Sequence, residues 1–326
     1  MKIYMSLILS VIFVTNSYGF EFGVCTHIES YSENQVAIIK AINDLQVTTI
    51  RDDISWNDVE KSKGIYTNDN IKKLLQTIDS LSDKKIKSTI ILSGTNALYT
   101  KYIYPNSSES INGFANYVDY VSQQLRGKVA YYEIWNEWTL STKIVDIKKS
   151  EDLYLELVKK ASDKIRKNDP NAKILIGGIN PSAVTGKYLS ENDLTWMINL
   201  LNKGIMKYGD GISIHSYTFY EKGILKKPYF YFRYLDSVEN KMSLSINRKV
   251  PIYITEIGIP STPYVYGYDE KYISNYIKEV MTEVNKRNYI YGLWWYDLKD
   301  DGINKNNKEA HFGIYDFSFK NKYTLN

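Results

Sequence analysis

Two glutamates stand where a buried strand has no routine use for a charge. Glu137 closes the run YYEIWNEW, and Glu256 lies within PIYITEIG. Both runs are short, apolar and rich in β-branched or aromatic residues, so they read as buried strands, and a carboxylate at the end of such a strand needs a partner or a task. Two carboxylates on opposite walls of one mouth suit cleavage of a glycosidic bond. One, protonated, donates to the departing oxygen; the other, ionised, meets an oxocarbenium-like carbon from the opposite face. A carboxyl separation of about 5–5.5 Å gives direct attack and retention, whereas a wider one admits a water and gives inversion. Sequence spacing does not fix that gap.

Other polar and aromatic groups collect at predicted strand ends: His27, Arg51 with Asp52 and Asp53, Asn136, Asn180, His215 with Tyr217, and Trp294 with Trp295. A tyrosine hydroxyl or an arginine beside Glu256 would hold it ionised. Arg51 could equally serve as a counterion to Glu133. Strand alternation turns only one of Trp294 and Trp295 towards a strand mouth, and Trp294 is the preferred one. Trp56 and Glu60 read as scaffold for the loop after the second strand.

The elements that must position these groups alternate regularly. Eight strands are predicted, at 20–27, 48–55, 87–94, 130–137, 172–180, 211–217, 251–258 and 290–298, with helices near 33–45, 69–83, 109–125, 150–167, 191–205, 231–246 and 269–287. That rhythm predicts an α/β protein with a parallel sheet, and eight βα units without a glycine-rich phosphate turn favour a single (β/α)8 TIM barrel over an open doubly wound sheet. After Leu298 come a polar loop, HFGIYDFSF and a short tail, so the eighth helix is expected to be abbreviated. The gap it leaves should be covered by the tail or by a partner, at the end of the barrel away from the active face. The stretch Ser216 to Arg233, rich in Tyr and Phe, either walls a groove for an extended substrate or packs on itself.

Residues 1–19 read as a signal peptide, with Lys2, an apolar run from Met5 to Val14 and a small-residue cleavage site, leaving 20–326 as one exported catalytic domain. No later segment reaches the roughly 18 apolar residues of a membrane span. The lone cysteine, Cys25, cannot form an intrachain disulfide and reads as a packed strand residue. A net charge of +4 argues against a nucleic-acid partner, and 30 tyrosines are compatible with stacking on sugar rings. No cofactor is implied, and the chain is expected to act as a monomer. The three histidines are scattered without metal-ligand spacing, and Asp297, Asp300 and Asp301 read as a solvated turn, not a calcium loop.

Trp135-Asn136-Glu137 on the fourth strand and Thr255-Glu256 on the seventh resemble glycoside hydrolase clan A. The segment RDDISWNDVEKSKGIY, from Arg51 to Tyr66, is similar to family 39 and its relatives, including endoglycosidases of biofilm exopolysaccharides. The resemblance implies a retaining barrel glycosidase in which Glu137 is the acid/base and Glu256 the nucleophile. It also implies that Asn136 binds the sugar 2-hydroxyl, that His215 and Tyr217 flank the nucleophile, and that Trp294 or Trp295 forms a stacking floor. The same glutamates would serve a transglycosylase, and an idle carbohydrate-binding barrel would keep the aromatic groups without the chemistry. A polysaccharide or oligosaccharide is the expected partner, with endo action favoured.

Overall fold

The computed structural model describes residues 19–142, 147–181, 190–221, 223–261 and 268–323; the predicted signal peptide lies outside them apart from Gly19. Eight parallel strands close into a barrel: β1 (Glu21–Cys25), β2 (Thr49–Ser55), β3 (Lys87–Ser93), β4 (Tyr131–Ile134), β5 (Lys173–Ile179), β6 (Gly211–His215), β7 (Ile252–Ile257) and β8 (Ile290–Trp295). Each pairs with its sequence neighbour, and β1 pairs with both β2 and β8 to complete the ring. The order is that of the sequence expectation, with ends drawn in by up to three residues.

The strands are apolar because both faces are covered. All residues of β4, β6 and β7 are buried. One face of the sheet turns inward, where Cys25, Tyr131, Leu175, Tyr253 and Trp294, from five different strands, pack together. The other face meets the helices α1 (Gln35–Asp44), α2 (Lys72–Asp83), α3 (Ser108–Gln124), α4 (Ile147–Asn168), α5 (Ser190–Asn202), α6 (Pro228–Ile246) and α7 (Glu270–Val284).

Local chemistry sets several helix starts. The side chain of Asn34 accepts from the Ala37 N–H, Asp269 accepts from Tyr272, and Ser107 with Ser110 forms a capping box. Pro228 occupies the first turn of α6, where its missing N–H costs nothing. After β2 a short helical turn, Trp56–Val59, leads into a two-stranded hairpin, Glu60–Ser62 with Ile65–Tyr66. Trp56 donates to Glu60 at 2.6 Å, and both are fully buried, which is the scaffold role expected of them.

No regular helix follows β8 among the described residues. A single helical turn, Lys308–His311, precedes a tail that folds back over the end of the ring. Tyr315 bridges to Lys299 and to Asn321, and Ile314, Tyr315 and Tyr323 are buried. Lys322 donates to the Asp300 carboxylate at 2.6 Å, and Tyr315 reaches the Ala41 carbonyl of α1. The chain's own tail thus stands in for the eighth helix. One part of the expectation is corrected, because Glu309 and Phe312 from this segment line the cavity at the active face. No helix among the described residues is long and apolar enough to cross a membrane.

Candidate active site

A cavity of about 550 Å³ opens at the carboxyl ends of the strands. At its base lies Arg51, which β2 directs into the barrel. Its guanidinium donates to three acceptors: Nε to Glu133 at 2.7 Å, Nη1 to Glu256 at 2.7 Å and Nη2 to Asn136 at 3.1 Å. Only the planar fork of arginine serves three directions this way. Arg51 is therefore both the counterion of Glu133 and a direct partner of Glu256, so the two roles considered for it coexist.

Register places His215 of β6 opposite Glu256 of β7. His215 Nδ1 lies 2.9 Å from Glu137 Oε1 and 3.5 Å from Glu256 Oε2. The Tyr217 hydroxyl donates to Glu256 Oε2 at 2.5 Å. A single oxygen from each glutamate and one His215 ring nitrogen all lie within 4.8 Å of one another. Two glutamates far apart in the chain are thus brought to one point.

Burial opposes charge on Glu256, but His215 and Arg51 beside it and the hydrogen bonds from Tyr217 and Arg51 outweigh burial and hold its carboxyl below the usual range. Burial likewise opposes charge on Glu133, and Arg51 with His215 brings it down to about 2. For His215, burial would lower the pKa, yet Glu256, Glu133 and Glu137 raise it to about 10. Ser213 completes the shell around Glu133 with a 2.5 Å hydrogen bond.

Glu137 lies beyond β4 with φ +48°, and Trp135 has φ +68°. Non-glycine residues in this left-handed region are strained, and such positions cluster at functional sites. β5 passes close against this turn. Gly178 has φ +56°, and a Cβ there would sit 2.9 Å from the Glu137 backbone nitrogen. The paired glycines of LIGGIN mark this close approach in the sequence itself.

The remaining expected residues divide. His27, Asn136 and Asn180 line the cavity with Arg51, Tyr217 and the two glutamates. Trp294 and Trp295 do not. Trp294 does turn inward, but it is buried against Tyr131 and Tyr253 within the barrel. Trp295 turns outward against Tyr276 of α7. The residue that reaches the mouth is Tyr296, one pleat beyond Trp294, which lines the cavity and meets His27 and Tyr217 edge-on. From Ser216 to Arg233, Tyr217 contributes to the cavity, while Phe219, Tyr231 and Phe232 are buried, so the packed-loop alternative describes these residues.

The expected solvated turn is also corrected. Asp297 is 1% exposed and Asp300 6%, while Asp301 is exposed. Asp300 is satisfied by Lys322 and by the Gly313 N–H. Two groups of imidazole and carboxylate are close enough to share an ion: Glu137 with His215 and Glu256, and His27 with Asp297 and Asp301. In the first, hydrogen bonds already account for the proximity.

This geometry agrees with what the chain resembles. Residues 15–300 match the family model described as cellulase (glycosyl hydrolase family 5). A family 39 glycoside hydrolase from the gut symbiont Bacteroides cellulosilyticus WH2 is similar over 94% of this chain and 61% of its own, at 23% identity and a TM-score of 0.71. This chain thus spans less than two thirds of that relative. A family 5 subfamily 18 protein from Streptomyces cattleya, solved with GlcNAc, is 14% identical over 93% of this chain and 77% of its own, with a TM-score of 0.71. Xylanase 10B from Thermotoga maritima is 14% identical over 94% and 92%, with a TM-score of 0.64. At these identities the structures speak for the fold alone. A comparison with curated proteins finds no match. The resemblance to clan A holds: the family model over residues 15–300 is that of family 5, and a family 39 enzyme is among the structures of similar fold. A closed barrel, converging glutamates and a match across most of the chain lead to one assignment: this chain belongs to glycosyl hydrolase family 5, within clan A.

Proposed function

We propose that the chain hydrolyses a β-linked polysaccharide or oligosaccharide with retention, using Glu256 as nucleophile and Glu137 as acid/base. The observation that carries this reading is the gap between the two carboxylates, whose nearest oxygens lie within 4.8 Å. Inverting enzymes hold their carboxyl groups about 6.5–9.5 Å apart to admit a water.

Glu256, held ionised by Arg51, Tyr217 and His215, attacks the anomeric carbon. The glycosidic C–O bond breaks as Glu137 protonates the departing oxygen, and an ester forms between Glu256 and the sugar. Water then enters, gives its proton to Glu137 and displaces Glu256, restoring both groups. Asn136 turns its Oδ1 to Arg51, leaving its amide hydrogens for the sugar 2-hydroxyl. Tyr296 takes the stacking role first considered for the tryptophans.

Endo action is supported by the shape of the mouth. The catalytic cavity shares His27, Asp52, Asp53 and Tyr296 with a second one of about 430 Å³, forming a groove longer than a single pocket. The leader-like residues 1–19 support export of the catalytic chain. Digestion of a panel of β-linked glycans, with products sized by mass spectrometry, tests substrate and mode together. Internal fragments are expected; release of single sugars alone would contradict endo action, and no cleavage of any β-glycan would contradict the assignment. Products longer than the substrate would indicate transfer to sugar.

A further inference from the structure

On the β1 side of the mouth, three atoms converge without partners. Asp297 is 1% exposed, yet neither of its carboxylate oxygens has a hydrogen-bond partner among the described residues. The Nε2 atom of His27, also buried and unpartnered, lies 3.9 Å from Asp297 Oδ2. Asp301 adds a third group, so that one atom each from His27, Asp297 and Asp301 lie within 4.8 Å of one another. The neighbouring lysines are committed elsewhere: Lys322 to Asp300 and Ser261, and Lys299 to Glu33. A buried carboxylate that receives no hydrogen bond and has only the His27 ring, at 3.9 Å, as a partner is costly to keep charged, so the arrangement favours a further cation.

We propose that His27, Asp297 and Asp301 form a binding site for a divalent transition-metal ion. One imidazole nitrogen with two carboxylates matches Zn²⁺ and its borderline neighbours better than Ca²⁺ or Mg²⁺, which take oxygen ligands. The surroundings fit as well. The other ring nitrogen of His27, Nδ1, faces Asp53 Oδ1 at 3.7 Å, so that a carboxylate borders the imidazole on its far side. The 3.9 Å between His27 and Asp297 exceeds by about 0.5 Å the edge of a tetrahedron built with bonds of about 2.1 Å. An ion drawing in both ligands would have to close that difference by side-chain rotation. Asp301 borders the second cavity, which supplies an entry path and room for water ligands. Such an ion ties the loop after β8 to the end of β1, with Tyr296 and His27 of the catalytic wall between them.

Isothermal titration of the chelator-stripped full chain with Zn²⁺ tests the site, with metal content checked by mass spectrometry after dialysis. One equivalent should bind to the wild type. Asp297→Asn should weaken binding by about 100-fold or more, and the exposed Asp301→Asn, which is not expected to disturb folding, by at least about 10-fold. Replacing His311, on the tail and outside the cluster, should leave binding unchanged. Failure of the wild type to bind one equivalent, or undiminished binding in both aspartate variants, would overturn the proposal.

Discussion

Two clusters of buried charge share one barrel mouth and are balanced differently. Around Arg51, the carboxylates of Glu133 and Glu256 each receive short hydrogen bonds, and His215 adds a second cation. Around His27, Asp297 receives no hydrogen bond among the described residues, while Asp52 accepts from Thr26, Ile28 and Asp53. The first cluster is completed by protein groups, as a preorganised electrostatic site must be. The second leaves a position for something the chain does not supply. The contrast shows that two convergences of acids at one mouth can be balanced in different ways, one by protein groups and one only in part.

The largest effect should come from the centre of the first cluster. Glu256→Gln keeps the shape and removes the proposed nucleophile, so turnover should fall by at least about 10⁴-fold while circular dichroism stays native. Undiminished hydrolysis would remove the nucleophile assignment. Arg51→Met leaves Glu133 and Glu256 buried without their shared cation, and urea denaturation should register a loss of about 3–5 kcal/mol. A loss under about 1 kcal/mol would mean that the paired cluster is no more dependent on its cation than an exposed ion pair.

The pH dependence of stability should carry the same signature. Glu133, lowered from 4.5 to about 2, contributes stability that is present above pH 4.5 and lost as the pH falls towards 2. His215, raised from 6.5 to about 10, contributes stability that is present below pH 6.5 and lost as the pH rises towards 10. Denaturation midpoints should therefore peak between about pH 4.5 and 6.5, and Arg51→Met should flatten the acid limb. An unchanged acid limb in that variant would break the link to Arg51. The smallest effect belongs to the second cluster, where Asp297→Asn in chelator-stripped protein should stabilise by about 1 kcal/mol, because it removes a carboxyl whose charge burial opposes and no hydrogen bond supports. Destabilisation under those conditions would show that Asp297 is compensated after all.

What the sequence made legible was what burial and local chemistry impose. The eight strand cores could be read because a strand covered on both faces tolerates few polar residues, so Glu137 and Glu256 stood out. Asp297 misled because DLKDDG has the composition of a surface turn, whereas its burial depends on a tail that folds back from residues 312–323. Phe312 reached the cavity through the same long-range return. Tyr296 was obscured by the neighbouring tryptophan pair, although alternation from the inward-facing Trp294 leads directly to it. The glutamate separation required three dimensions, since it is set by the ring of strands and the approach of Gly178 to Glu137.

The central claim, direct attack by Glu256 across a narrow gap, is tested most directly by the configuration of the first-formed product. Proton NMR of the anomeric signals, recorded during the first minutes of digestion of a cleaved β-glycan and before mutarotation, should show the β-anomer accumulating first. Initial accumulation of the α-anomer would contradict the account.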